Sequence, residues 1–243
     1  MFCIEPAAFN SDSPVLKAHP ELGGSSNGQR VYFCTSSKTG QAYLEEALFN
    51  LFSSVPGIGG LINISIGERA THCYSGNIGR GFINNCPLCS KRKPWEVLHD
   101  TLSSMEKGMR RANVGAELIS WPYSQYLEWG EELTIDAAAH VPEGVILQQN
   151  FESHGREKQL GKWQTADDYW LSYIGPSGIF HKCAENTIMN GNRMSAKIQV
   201  GCSHETATIP FVPVPGNLYK KYKAMKKLSV SGVMQCWYFG NYP

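Results

Sequence analysis

Residues 60–73 read GLINISIGERATHC, and the fold prediction depends on this stretch. It begins with a Gly-bounded run of β-branched and apolar residues, which is typical of a strand that is buried on both faces. Glu68 comes directly after this run. A carboxylate there lies at the carboxyl end of the strand, where proteins with parallel sheets place their chemistry. The stretch therefore predicts a parallel α/β fold with Glu68 in its site.

The same apolar strand pattern recurs along the chain and alternates with helical patterns. The strand patterns lie near residues 31–35, 61–67, 116–121, 145–150, 194–200 and 232–238. Such alternation indicates parallel pairing through crossover connections. Polar or aromatic residues follow nearly every strand, which favours an α/β fold of the (β/α)8 TIM-barrel type over a doubly wound sheet. Because the patterns account for about strands 3 to 8, we expect an incomplete barrel.

The N-terminal segment differs in composition from the rest of the chain. Residues 1–30 are rich in Pro, Ser, Gly and Asn, so we expect a loop or the remnant of a missing N-terminal part. We expect residues 31–243 to form the partial barrel and to be the catalytic domain if the protein is an enzyme. The first residues lack a basic region followed by an apolar one, so no signal peptide is predicted. This favours a cytoplasmic protein, unless the true N-terminus is missing.

Charge and hydropathy exclude two classes of partner. The net charge is +1 and no stripe of Lys and Arg is present, so we expect no nucleic acid partner. No apolar run approaches the roughly 20 residues that a membrane span needs, so we expect no membrane partner. The basic cluster at residues 220–227 has helical spacing and is interpreted as a solvated helix face. The sequence leaves the oligomeric state open.

A group of cysteines in the long loop after residue 67 predicts a metal site. Cys86 and Cys89 form a C-x2-C pair, and Cys73 precedes them in the same loop. This spacing suits tetrahedral zinc, and a closed structural zinc would order the loop. The alternatives are a disulfide or reduced thiols, whereas a redox pair is disfavoured because such motifs open a helix directly after a strand. The candidates for a fourth ligand are His72, His99 and Cys34.

Three segments carry a resemblance to known proteins. They are residues 196–216 (AKIQVGCSHETATIPFVPVPG), 231–243 (SGVMQCWYFGNYP) and 56–73 (PGIGGLINISIGERATHC). They resemble uncharacterised bacterial (β/α)8-barrel proteins that are similar to glycoside hydrolases such as β-hexosaminidases. The resemblance implies a glycoside hydrolase that cleaves a glycosidic bond by carboxylate general acid/base catalysis. It implies a carbohydrate substrate and no cofactor for catalysis.

The resemblance also implies a catalytic pair. If the last strand is the eighth, Glu68 ends the fourth and Glu205 follows the seventh, the two strands that carry the acid/base and the nucleophile in many retaining glycosidases. Such a pair must flank the scissile bond, roughly 5 Å apart for retention and wider for inversion. The chain has Gly67-Glu68 where that superfamily has Asn-Glu, so these roles rest on position. Glu152 is the rival second carboxylate.

Further polar and aromatic residues at strand ends are candidates for substrate binding. They are His72, Trp121, Tyr123, Asn150, Glu152, His204, Trp237 and Tyr238. Aromatic faces stack on the C–H faces of sugars, although each ring alone is equally well explained by core packing. The alternatives are a catalytically silent carbohydrate-binding barrel and a metal-dependent hydrolase. The latter is disfavoured because the sequence has no H-x-H or H-E-x-x-H motif.

Overall fold

The structure is a computed structural model that describes residues 2–4, 8–67, 69, 71–76, 81–166, 168–206, 209 and 211–235. The chain divides into two compact units, Met1–Leu147 and Gln148–Pro243. Among the described residues, no helix is both long enough and apolar enough to cross a membrane.

The first unit contains five strands and two α-helices before its long loop, and further elements after it. In chain order these are β1 (Phe2–Ile4), β2 (Phe9–Asn10), α1 (Pro14–Ala18), β3 (Gly23–Ser26), β4 (Arg30–Phe33), α2 (Lys38–Ser54), β5 (Gly60–Asn63), α3 (Pro94–Ala112), β6 (Glu117–Ser120), α4 (Gln125–Trp129), α5 (Glu131–Ala138) and the start of β7 (Ile146–Asn150). Strands β1, β5, β6 and β7 lie side by side in this order and pair in parallel.

The second unit begins inside β7 and continues to the last described strand. Its further elements are β8 (Arg156–Gln159), β9 (Lys162–Thr165), α6 (Gly178–Met189), β10 (Met194–Ile198), α7 (Pro215–Lys227) and β11 (Gly232–Gln235). Strand β10 lies between β7 and β11 and pairs in parallel with β11. Strands β8 and β9 form a separate antiparallel hairpin.

The predicted incomplete (β/α)8 barrel is wrong, although the α/β class and the crossover helices are present. Within each unit the described parallel strands form an open sheet. Strand β4 corresponds to the first of the six strands predicted for the partial barrel. It instead pairs antiparallel with β2 and β3 in a separate three-stranded sheet. A short turn with Gly28 at φ 92° joins β3 to β4, and so short a connection permits only antiparallel pairing. Apolar runs that alternate with helices predict parallel pairing, but they do not indicate whether a sheet closes.

The core of the first unit lies between its parallel sheet and helices α2 and α3. Leu48 and Phe52 of α2 and Met105 of α3 are buried there with Leu61 of β5. The two helices approach closely at Gly108, where an added Cβ would lie 2.1 Å from the backbone oxygen of Glu45 on α2. Val97 and Leu98, near the start of α3 and just after the cysteine-rich loop, are buried in the same core.

Candidate functional site

Four cysteines of the first unit come together in its interior. Cys34 follows β4, Cys73 lies in the loop after β5, and Cys86 and Cys89 precede α3. All four are buried free thiols, and their sulfur atoms lie within 4.8 Å of one another. The Cys34 Sγ lies 3.7 Å from the Cys86 Sγ and 3.8 Å from the Cys89 Sγ. A ZnS4 tetrahedron with Zn–S bonds of about 2.3 Å has edges of about 3.8 Å, so the cluster can hold a metal such as zinc.

The clustering expected for Cys73, Cys86 and Cys89 is found, and Cys34 completes the set. Cys34 was one of the three fourth-ligand candidates. The ring of His99 instead lies with its Nδ1 2.9 Å from the backbone oxygen of His140. We refer to the four residues below as the cysteine cluster.

The backbone of β3 forms one wall of the cysteine cluster. The Ser25 N–H donates a hydrogen bond of 3.3 Å to the Cys73 Sγ. At the preceding residue, Gly24, an added Cβ would lie 2.1 Å from that sulfur. Sequence reasoning missed this strand because residues 23–26 (GGSS) carry no apolar alternation. The two adjacent glycines, Gly23 and Gly24, were the available signal, because glycine in a strand often marks a place where another group approaches the backbone closely.

The pKa shifts of the thiols in the cysteine cluster favour the binding of a cation. Hydrogen bonds from the thiols of Cys73 and Cys89 lower the pKa of Cys34 to about 2, although burial opposes this. The pKa of Cys89 is raised to about 12, chiefly by its hydrogen bond to Cys34. The bond to Cys34 likewise raises the pKa of Cys73. The Cys34 thiol therefore ionises before those of Cys73 and Cys89, and a negative charge on Cys34 opposes the ionisation of these two. A bound divalent cation offsets that negative charge and deprotonates its thiol ligands.

The carboxylates proposed for catalysis are only partly described. Glu68 lies outside the described residues, as do Trp237 and Tyr238. Glu205 lies in the exposed 3-10 turn His204–Thr206 that follows β10. Its carboxylate accepts hydrogen bonds from the Ser172 hydroxyl, from the Ser172 N–H at 3.0 Å and from the Ser203 hydroxyl at 2.8 Å. Burial alone would raise the pKa of Glu205, but these bonds outweigh it and hold the pKa below its usual range.

Glu152 has a different environment from Glu205. It is fully buried, and its Oε1 lies 2.5 Å from the Nζ of Lys221, which is also fully buried. Burial raises the pKa of Glu152, while Lys221 and then Lys197 act in the opposite direction. Sequence reasoning missed this partner because it interpreted residues 220–227 as a solvated face. Lys221 and Met225 lie one turn apart on the buried side of α7, and this spacing was the available signal.

The remaining candidates of the second unit belong to a polar network. Asn150 donates from its Nδ2 to the Asp168 Oδ1 at 3.0 Å. The ring of His204 meets the ring of Tyr169 edge-on, with centroids 4.8 Å apart. The Nζ of Lys197 lies 2.8 Å from the centroid of the same Tyr169 ring. Asp168, Tyr169 and Lys197 were not among the predicted residues.

The remaining candidates of the first unit lie near the carboxyl ends of β5 and β6. Trp121 is buried and Tyr123 is half-buried, with ring centroids 5.3 Å apart. His72 is buried, and its Nδ1 accepts a hydrogen bond of 3.2 Å from the Tyr74 N–H. Burial lowers the pKa of His72 to about 4, and the backbone oxygen of Ser65 offsets only part of this effect.

No protein-family model and no curated protein matches the sequence. Among solved structures, a GH138 enzyme targeting pectin rhamnogalacturonan II is similar with a TM-score of 0.50 and 10% identity, over 96% of this chain and 22% of that one. A family 44 xyloglucanase from Paenibacillus polymyxa is similar with a TM-score of 0.40 and 10% identity, over 90% of this chain and 53% of that one. This chain thus spans about a fifth of the first enzyme and about half of the second. The first likeness shows that the chain has a fold similar to that of a glycoside hydrolase.

Proposed function

We propose that the protein is a glycoside hydrolase in which Glu205 acts as an ionised carboxylate. The observation that carries this proposal is the environment of Glu205, an exposed carboxylate after a parallel strand that accepts hydrogen bonds from Ser172 and Ser203. These bonds favour the charged form, which a nucleophile or general base must have near neutral pH. The likeness in fold to a glycoside hydrolase agrees with this chemistry.

The proposal assigns proton donation to Glu68 from its place in the sequence, after β5. Hydrolysis of a glycosidic bond needs one carboxylic acid to protonate the leaving oxygen and one carboxylate to attack the anomeric carbon or to activate water. Glu152 is a weaker choice for the second carboxylate because its ion pair with Lys221 is fully buried. Substrate contacts are proposed for the exposed His204 and the half-buried Tyr123.

Hydrolysis of a panel of nitrophenyl glycosides and of unactivated oligosaccharides tests these assignments. We expect Glu205→Gln to lower turnover of every substrate by roughly 10²–10⁴-fold. Glu68→Gln should affect unactivated substrates most, because a good leaving group needs little protonation. The matched control is Glu143→Gln, which changes an exposed glutamate in a loop. Glu205→Gln and Glu68→Gln variants as active as this control would contradict the proposal.

A second role, structural zinc binding, is proposed for the cysteine cluster. Its four ligands are all thiols and all buried. A site of this composition is closed, because it leaves no coordination position for water or substrate. We therefore propose that the zinc holds β4, the loop after β5 and the start of α3 together, and that it takes no part in catalysis.

Metal analysis of cysteine variants tests the zinc proposal. The protein should be purified under reducing conditions and should contain one equivalent of zinc, whereas Cys34→Ser and Cys86→Ser should lose most of it. The control is Cys183→Ser, which changes an equally buried cysteine of α6 outside the cluster. Equal zinc content in all of these proteins would exclude the cluster as the zinc site.

A further inference from the structure

The β8–β9 hairpin of the second unit has a solvent-facing side that neither proposed role uses. In a hairpin, paired residues and alternate residues along each strand share a side. Arg156 pairs with Thr165 and Lys158 pairs with Trp163, so these four side chains share one side, and all four are exposed. Three of the four residues on the other side are half-buried. The hairpin therefore packs towards its unit with one side and presents the other to solvent.

A tryptophan is the large apolar group on the solvent-facing side. Trp163 is 65% exposed, although large aromatic residues are usually well buried. The Cζ of Arg156 lies 5.5 Å from the centroid of its ring, and cation–π attraction favours this arrangement. An exposed ring that a neighbour holds in place is a flat platform, and the C–H face of a sugar can stack on such a platform.

The charges around Trp163 are positive. Arg156 and Lys158 lie on the same side of the hairpin, and Lys162, which precedes the tryptophan, is also exposed. Glu157 is the one acid between residues 156 and 165, and it lies on the other side. The net charge of the whole chain is only +1, so this cluster of cations is a local feature. Arg and Lys bind carboxylates by charge-assisted hydrogen bonds, so the hairpin is complementary to an anionic partner.

The hairpin is attached near Glu205, the carboxylate proposed for catalysis. Its stem follows β7, where the Gly155 N–H donates a hydrogen bond of 2.9 Å to the Glu152 carbonyl. The segment after β9 reaches the turn of Glu205, because the Ser172 N–H donates to the Glu205 carboxylate at 3.0 Å. Nine residues separate Trp163 from Ser172, so at most about 32 Å of extended chain lies between them. A polysaccharide chain of several sugar units can therefore contact both places.

We propose that the solvent-facing side of the β8–β9 hairpin is a binding subsite for a polysaccharide that contains uronate sugars. One sugar ring stacks on Trp163, and carboxylates of the polysaccharide pair with Arg156 and Lys158. The choice of a polysaccharide rests on the proposed glycosidase function of Glu205. The choice of an anionic one rests on the charges of the hairpin alone.

Isothermal titration with two uronate polymers, polygalacturonate and alginate, tests the proposal. We expect saturable binding that weakens as NaCl is raised from about 50 to 500 mM, because salt screens exposed charges. Highly methyl-esterified polygalacturonate has the same sugars without the charge, and poly-glutamate has the charge without the sugars. Each should bind at least about tenfold more weakly than polygalacturonate. Binding of neither uronate polymer, or equally tight binding of the ester or of poly-glutamate, would overturn the proposal.

An anionic membrane surface is the other partner that this hairpin could contact. Leu160 at the hairpin tip is fully exposed and has a φ of 48°, in the left-handed region that leucine rarely adopts. Exposed apolar residues beside cations are also typical of segments that lie in a membrane interface. Leu160→Asn removes the apolar group and suits this backbone conformation, so it should leave polygalacturonate binding unchanged. Tight binding to phosphatidylserine vesicles that is lost in Leu160→Asn, without polyuronate binding, would overturn the proposal.

Failure of the subsite and failure of the proposed function are distinguishable, because binding does not require turnover. The titrations are therefore repeated with Glu205→Gln, which should bind polygalacturonate as the unmodified protein does. Polyuronate binding without hydrolysis in the glycoside panel would support the subsite and contradict the proposed function. Hydrolysis that depends on Glu205, without polyuronate binding, would overturn the subsite alone.

Substitutions on the hairpin locate the binding. Trp163→Ala should weaken polygalacturonate binding at least about tenfold, and Trp163→Phe should retain part of the affinity. Arg156→Gln combined with Lys158→Gln should weaken it about tenfold and reduce its salt dependence. The control is Lys226→Gln, which removes an exposed cation of α7 and should leave binding unchanged. Circular dichroism identifies variants that fail to fold. Folded Trp163→Ala and Arg156→Gln/Lys158→Gln proteins that bind as tightly as this control would overturn the proposal.

Discussion

At the scale of single residues, the buried ion pair between Glu152 and Lys221 is expected to have a large effect on stability. Both side chains are fully buried and their charged atoms lie 2.5 Å apart. Lys221→Met leaves the Glu152 charge buried without its main partner, and we expect the free energy of unfolding to fall by about 3–5 kcal/mol. Urea denaturation measures this change.

Two variants serve as controls for the ion-pair prediction. Lys220→Met, at the exposed neighbouring position on α7, should change stability by less than about 0.5 kcal/mol. The double variant Glu152→Met with Lys221→Met should recover much of the loss, because no isolated charge remains. A double variant that is as unstable as Lys221→Met alone would show that the cost does not come from the unpaired carboxylate.

The loss of stability in Lys221→Met should depend on pH, and the pKa of Glu152 gives the direction of this dependence. Burial already raises the pKa of Glu152, and removal of Lys221 raises it further. Folded Lys221→Met protein therefore binds the Glu152 proton more tightly than the unfolded chain, in which the glutamate pKa is about 4.3. The stability of the variant should be greatest at acid pH and should fall as pH rises through the folded pKa. The deficit relative to the unmodified protein should thus be smaller at pH 5 than at pH 7 in urea denaturation, and a deficit that grows on acidification would contradict this assignment.

At the scale of elements, the contact between strand β3 and the cysteine cluster is the critical one. An added Cβ at Gly24 would lie 2.1 Å from the Cys73 Sγ, so Gly24→Ala must displace either the strand or the sulfur. We expect zinc affinity, measured by competition with a chromophoric chelator, to fall by at least about tenfold, within the range seen when groups that orient metal ligands are changed.

The control for Gly24→Ala is Gly57→Ala, where an added Cβ meets nothing within 4 Å. Gly57 lies in the turn between α2 and β5, and its substitution should leave zinc affinity unchanged. If Gly24→Ala and Gly57→Ala bound zinc as tightly as the unmodified protein, β3 would not form the wall of the metal site.

At the scale of the whole molecule, sequence patterns predicted the parallel elements but not the way they assemble. The apolar runs at β5, β6 and β10 are dense and bounded by turn residues, so their burial and the crossover helices after β5 and β6 could be predicted. The closure of the sheet could not be predicted, because side-chain periodicity reports burial and not strand tilt or register. Strand β3 could not be predicted either, since its Gly and Ser residues carry no apolar signal.

For the sites too, the sequence predicts residues that are close together in the chain, but not contacts between residues that are far apart in it. The C-x2-C spacing is local, so Cys86 and Cys89 could be predicted as metal ligands from the sequence. The choice of Cys34 over a histidine depends on how β4 packs against the loop, which no local pattern specifies. The partnership of Glu152 with Lys221 joins two residues far apart in the chain, and burial of a lysine on α7 becomes evident only in the folded unit.

X-ray absorption at the zinc edge of the purified, reduced protein tests the central structural claim most directly. With all four cysteines as ligands, we predict one zinc per chain with about four sulfur neighbours at about 2.3 Å and no nitrogen or oxygen neighbours. Zinc bound through nitrogen or oxygen, or a reduced and folded protein that binds no zinc, would contradict the assignment of the cysteine cluster as a closed metal site.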